Sequence, residues 1–176
     1  LGDKFILNQD QKNRFLAILY PDLYAKNEAF QQNRGIGAIG SGQFFGQGLF
    51  NGNYTQSGAV PENQNDFVFS VAGEELGFIG AIAVLVLLAA IILRIVINGK
   101  RANDNASYLM CMGMASMLAA QVIINIGMVL QWLPVIGITL PFFSAGGSSN
   151  LCVYIGIGLM TVSYTHLRAH ETVLDL

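Results

Sequence analysis

Four of the eleven acidic residues fall within VPENQNDFVFSVAGEELG, positions 60–77: Glu62, Asp66, Glu74 and Glu75. Asp66 is followed directly by Phe67, Val68 and Phe69. A carboxylate partly desolvated by such neighbours gains proton affinity, which suits it to take a proton from a sugar hydroxyl. The same Asp could instead cap a helix beginning near Phe67, and chemistry alone leaves the two roles level. Glu74 and Glu75 have no basic neighbour in the sequence; they suit a structural role, meeting a buried cation or polar backbone elsewhere in the protein. A second chemically capable stretch is PFFSAGGSS, positions 141–149, where aromatic rings stand beside small hydroxyls and bare backbone. Such a stretch can line a cavity for a polar head group, offering amides to phosphate, or can form an interfacial loop with an aromatic belt.

Other motifs carry less. Gly35 to Gly40 spells GxGxxG, but no strand pattern precedes it and no acid lies between Glu28 and Glu62 to hold a ribose, so dinucleotide binding is not expected. Gly40, Gly42, Gly46 and Gly48 are expected instead to permit close backbone approach. Cys111 and Cys152 sit in apolar runs without CxxC spacing and are expected to be packing residues. His166 and His170 are spaced i, i+4 but lack HExxH, and a nucleophilic triad has no support.

The elements that would hold these residues are membrane helices. The chain is 53% hydrophobic and only 11% charged, about half the charge of a soluble domain. Between Asp104 and His166 there is no Asp, Glu, Lys, Arg or His. Formal net charge is -2, with no basic excess that would suit nucleic acid. Leu76 to Leu93 is uncharged and continues past Arg94 through Ile95, Val96 and Ile97, long enough to cross a hydrocarbon core. Arg94, near the end, can snorkel. The chain is thus expected to divide into a polar outward segment (1–73), a span (74–97), a short cytoplasmic loop (98–105), a second span (106–130), an outward or re-entrant loop broken by Pro134 and Pro141 (131–150), and a truncated third span (151–162). Lys100 and Arg101 beside Arg94 place 98–105 in the cytoplasm by the positive-inside rule. No signal-peptide pattern opens the chain, which looks cut from a longer protein; 163–176 resembles an adapter-derived tail rather than functional sequence.

Three blocks, AIGSGQFFGQGLF, VPENQNDFVFSVAGEELGFIG and NIGMVLQWLPVIGITLPFFSAGGSSNL, together resemble the carboxy-terminal half of the SEDS family, the shape, elongation, division and sporulation proteins of RodA, FtsW and SpoVE type. The resemblance covers residues 11–162, and NIGM and LPFF lean towards the RodA side. It implies an all-α polytopic protein of the bacterial cytoplasmic membrane, of which this chain holds a large outer loop and three membrane helices, the last truncated.

The implied function is a peptidoglycan glycosyltransferase that polymerises lipid II at the outer membrane face, working with a class B penicillin-binding protein. The family's essential acid falls on Asp66, which would deprotonate the acceptor's GlcNAc 4-hydroxyl for attack on the donor's MurNAc anomeric carbon. Glu62, Glu74, Glu75, Ser144, Gly146, Gly147 and Ser148 also match family positions and become candidates for substrate binding. A divalent cation, Mg or Mn, could offset the charge of the leaving pyrophosphate, although the sequence shows no ligand set. Arg34, Gly35, Trp132 and Ala145 depart from the residues many relatives carry; the acidic block is intact. Two rival readings are a lipid II flippase and a non-enzymatic scaffold that activates the penicillin-binding protein. This chain alone is expected to be inactive, because helix faces that need protein neighbours would meet lipid.

Overall fold

The computed structural model describes residues 28–58, 65–102 and 104–174, with side chains described for 31–58, 65–102 and 104–161. Among these residues there are helices and no strand. In chain order they are α1 (Glu28–Ser41), α2 (Asn53–Gln56), α3 (Val68–Glu75), α4 (Gly77–Lys100), α5 (Asn105–Val129) and α6 (Gly147–Leu174).

α4 and α5 are long and apolar enough to cross a membrane. They form a helical hairpin closed by Asp104, whose Oδ2 accepts the Ser107 backbone N–H at 3.3 Å and so caps α5. One side of α4 is buried at Ala81, Val84, Leu88, Ile95 and Gly99, the three-, four- and seven-residue spacing of a helix seam. α5 answers with Cys111, Ala115 and Leu118. Near the loop the two backbones approach closely: a Cβ on Gly99 would stand 2.7 Å from the Cys111 Cβ. Only 22% of each membrane-length stretch is buried within this chain, so most of its Leu, Ile and Val surface faces outward.

The core divides in two. Ala81, Val84 and Leu88 pack with Ala38, Phe67, Phe69, Val129 and Leu140 at one end of the hairpin. Ile95, Cys111, Ala115 and Leu118 pack with Val153 and Met160 of α6 at the other. Phe142 touches both clusters.

The described part of the polar segment, 28–58 and 65–73, is more organised than composition suggests. α1 lies against α3 and the end of α5, pinned by Gln32, whose Nε2 donates to the Met128 carbonyl at 2.8 Å and the Leu133 carbonyl at 2.9 Å. Gln131 Nε2 donates to Asn33 Oδ1 at 2.6 Å beside it. The GxGxxG letters fall inside α1 as ordinary helix, and Gly40 meets nothing within 4 Å of its would-be Cβ, so close approach explains Gly42 and Gly46 but not Gly40.

Four element boundaries differ from the sequence expectation, one being the end of the first span, at Lys100 rather than 97. The first span does not begin at 74: Glu74 and Glu75 end α3, and a new helix starts at Gly77. Gly77 takes φ +73°, and a side chain there would overlap the Gly46 backbone nitrogen. The break is stable because the 43–48 loop satisfies both helix ends. Gln47 and Gly48 N–H donate to the last carbonyls of α3, at Glu74 and Glu75, while the first amides of α4, Phe78 and Ile79, donate to the Gln43 and Phe44 carbonyls. The loop after α5 ends at 146 rather than 150, with Gly147, Ser148 and Ser149 already in α6. Finally, the α6 backbone remains helical to Leu174 and does not stop at 162.

The tight crossing sets a test. Gly99→Ala should destabilise the full-length protein by about 1–3 kcal/mol, as overpacking does. Adding Cys111→Gly, which removes the opposing Cβ, should recover part of the loss in thermal unfolding measured in detergent.

Candidate functional site

Asp66 stands one residue before Phe67, the N-cap position of α3, which makes no side-chain cap bond. Phe67 and Phe69 are 1% and 6% exposed and anchor the start of α3 in the core, leaving Asp66 half-buried at the rim. Its carboxylate faces the loop after α5. Gly137 has φ +80°, and a Cβ built there would lie 3.4 Å from Asp66 Oδ2. A glycine in the left-handed region therefore leaves the space beside the acid open. Asn125, wholly buried on α5, donates from Nδ2 to the Asp66 carbonyl at 2.8 Å and to the Ile138 carbonyl at 2.7 Å. The acidic block and the loop after α5, remote in sequence, thus meet at one amide.

The two glutamates that follow face different neighbours. Glu74 is fully buried, and its carboxylate accepts the Tyr54 N–H at 2.7 Å and the Thr55 N–H at 2.9 Å, with Ser41 Oγ at 3.5 Å. These are the second and third amides of α2, whose N-cap residue, Gly52, has no side chain to cap them. Glu74 supplies that cap from another helix. A side chain on Gly52 would displace it, since a Cβ would stand 2.8 Å from Glu74 Oε2. Glu75, 9% exposed, lines a cleft of about 410 Å³ with Thr55, Gln56, Val71, Phe143 and Ser144.

Ser144 is 4% exposed, and its Oγ has no hydrogen-bond partner among the described residues. The turn that carries it is held by Asn150, which donates from Nδ2 to the Ser144 carbonyl at 2.7 Å and accepts the Phe142 N–H at 3.2 Å. Gly146 is half-buried, whereas Gly147 and Ser148 are exposed in the first turn of α6. Glu62 lies outside the described residues. Among the described residues, no three His, Cys, Asp or Glu side chains come together as a metal site.

Asn125, Gln32 and Asn150 escape the sequence reading because a lone amide has no motif. A signal did exist for Asn125: an Asn in an otherwise apolar membrane-length helix is costly unless it finds buried partners.

Fold and site together define a helical membrane protein in which polar segments, folded over one end of the helical hairpin, hold the candidate site residues. The chain belongs to the FtsW/RodA/SpoVE family: the family model, described as cell cycle protein, matches residues 4–169. It is 33% identical over 164 residues to the peptidoglycan glycosyltransferase MrdB of Escherichia coli (strain K12), covering 93% of this chain and 44% of MrdB. It is 40% identical over 165 residues to the probable peptidoglycan glycosyltransferase FtsW of Coxiella burnetii, covering 90% of this chain and 44% of that relative. Among solved structures it resembles, with a TM-score of 0.68 and 29% identity, a chain from a peptidoglycan synthase complex studied for the coordination of polymerization and crosslinking. That likeness covers 92% of this chain and 43% of the other. The chain therefore spans less than half the length of these relatives.

Glu74→Ala should leave two buried amides of α2 without an acceptor and cost about 2–4 kcal/mol. Amide hydrogen exchange should accelerate at Tyr54 and Thr55 first. Glu74→Gln, which turns an NH2 towards one of those amides, should recover only part of the protection.

Proposed function

We propose that the full-length protein carrying this chain is a peptidoglycan glycosyltransferase that polymerises lipid II at the outer face of the bacterial cytoplasmic membrane, in cell elongation or division. Asp66 is its general base. The observation that supports this most directly is the seating of Asp66: a half-buried carboxylate beside the space that Gly137 leaves open, tied through Asn125 to the loop. A base needs this combination of partial desolvation and fixed position. The names of the relatives point to the same transfer.

In the reaction, an Asp66 carboxylate oxygen accepts the proton of the acceptor's 4-hydroxyl. The freed oxygen pair forms a bond to the donor's anomeric carbon, and the bond from that carbon to the pyrophosphate oxygen breaks. Undecaprenyl pyrophosphate leaves with the electron pair. Glu75 and Ser144, on one cleft wall, offer an acceptor and a hydroxyl to the polar head group. The free amides at the start of α6, around Gly147 and Ser148, suit the phosphates. Gly146 leaves the backbone before them uncovered. Glu74 serves by holding α2 rather than by touching substrate, since backbone amides occupy its carboxylate. Glu62 remains a candidate on family position alone.

The described donors do not fit a divalent cation: no cluster of three forms, and Glu74 is engaged by amides. No step is assigned to Mg or Mn. Lys100 and Arg101 at the hairpin turn belong on the cytoplasmic side, which puts Asp66 outside, where the crosslinking partner, a class B penicillin-binding protein, would work.

Asp66→Asn in the full-length protein should lower glycan formation from purified lipid II by about 100- to 10,000-fold, to a residual rate, while folding and co-purification with the penicillin-binding protein persist. Full glycan yield from that variant would instead favour a flippase. Absence of glycan from the unmodified protein, with partner activation retained, would favour a scaffold.

A further inference from the structure

We propose that Asn125 is a positioning residue for the transfer reaction, acting through Asp66; this rests on the reading of Asp66 as general base. Both partners of its Nδ2 are carbonyls, the Asp66 carbonyl at 2.8 Å and the Ile138 carbonyl at 2.7 Å. The amide orientation is therefore fixed by chemistry, because the opposite flip would set an oxygen against two oxygens. Asn125 is wholly buried, and its Oδ1 has no partner among the described residues. A site that required only volume would be better filled by Leu, which carries no polar atom to strand. The donor side joins two chain segments that are remote in sequence, the acidic block and the loop after α5.

Register matters here because Asp66 Oδ2 lies 3.4 Å from the side-chain position that Gly137, the residue next to Ile138, leaves empty. If the Ile138 carbonyl is released, the backbone beside the carboxylate moves; if the Asp66 carbonyl is released, the carboxylate itself moves. Either displacement alters the approach of the base to the hydroxyl without removing a substrate contact. Small misplacements of a reacting group can cost up to about 100-fold in rate.

The test uses the full-length protein, purified lipid II and equal amounts of folded enzyme. Asn125→Ala should lower kcat by about 10- to 100-fold and leave KM within about threefold. Asn125→Ser, which can donate to one carbonyl, should fall between. Leu118→Ala, a buried truncation on the same helix outside the site, should lower Tm and leave kcat unchanged. In the Asp66→Asn background, adding Asn125→Ala should cause no further loss of residual rate, because both changes disable one base.

Unchanged kcat in Asn125→Ala, a change in KM alone, or additive losses in the double variant would overturn the proposal. So would recovery of both Asn125 variants as unfolded protein, which would make the role one of folding. Normal polymerisation by Asp66→Asn removes the general-base reading itself. A strongly slowed Asp66→Asn beside a fully active Asn125→Ala removes only the positioning role.

Discussion

Peptide groups without helical partners are what the end of this hairpin that carries Gly77 and Val129 must satisfy. There α1, α3 and α5 end, α4 and α6 begin, and the connecting chain runs without regular structure next to membrane-length apolar helices. Unpaired N–H and C=O groups in that setting are costly. The fold meets the cost with a few buried polar side chains that each serve two backbone groups: Gln32 on the Met128 and Leu133 carbonyls, Glu74 on the Tyr54 and Thr55 amides, Asn125 on the Asp66 and Ile138 carbonyls. Asp66 and its loop hold their places because those bonds hold theirs.

The helix break between α3 and α4 follows the same rule. A continuous helix through Glu74 and Glu75 would use their carbonyls internally; instead the carbonyls turn to Gln47 and Gly48, and α4 starts on carbonyls from the same loop. The glycine-rich stretch at 42–48 is therefore a plug between two helix ends, which accounts for its composition better than mobility would. Family membership fits this architecture, because the three sequence blocks that resemble the family fall on the pieces that interlock: the plug, the acidic block and the loop after α5.

Much of this was legible before any coordinates. The uncharged run from Leu76 and the hydrophilic break at 98–105 foretell the α4–α5 hairpin, because a membrane-length apolar stretch has few other folds open to it. The apolar neighbours of Asp66 leave it level between base and helix cap, and the family resemblance of its block singles it out. What stayed hidden were the long-range partnerships. Glu74 shows no basic partner in the sequence because its partners are backbone amides, which leave no trace in residue type. Asn125 is a single amide among apolar residues, and only proximity in space gives it two carbonyls. The break at Gly77 was missed for a related reason: hydropathy continues smoothly across it, and the cause lies in the backbone of a distant loop.

Phe142 shows how tightly the outer loop is committed. It holds a left-handed backbone angle, φ +67°, that an aromatic residue adopts at a conformational cost, yet its ring touches the packing clusters at both ends of the hairpin. Glycine would relieve the main chain and uncouple the two clusters; any other large side chain would keep the conformational cost and have to match two differently shaped surfaces at once. Drift at this position is therefore hemmed in from two directions, and the loop behaves as a keystone whose shape cannot be adjusted for one neighbour alone.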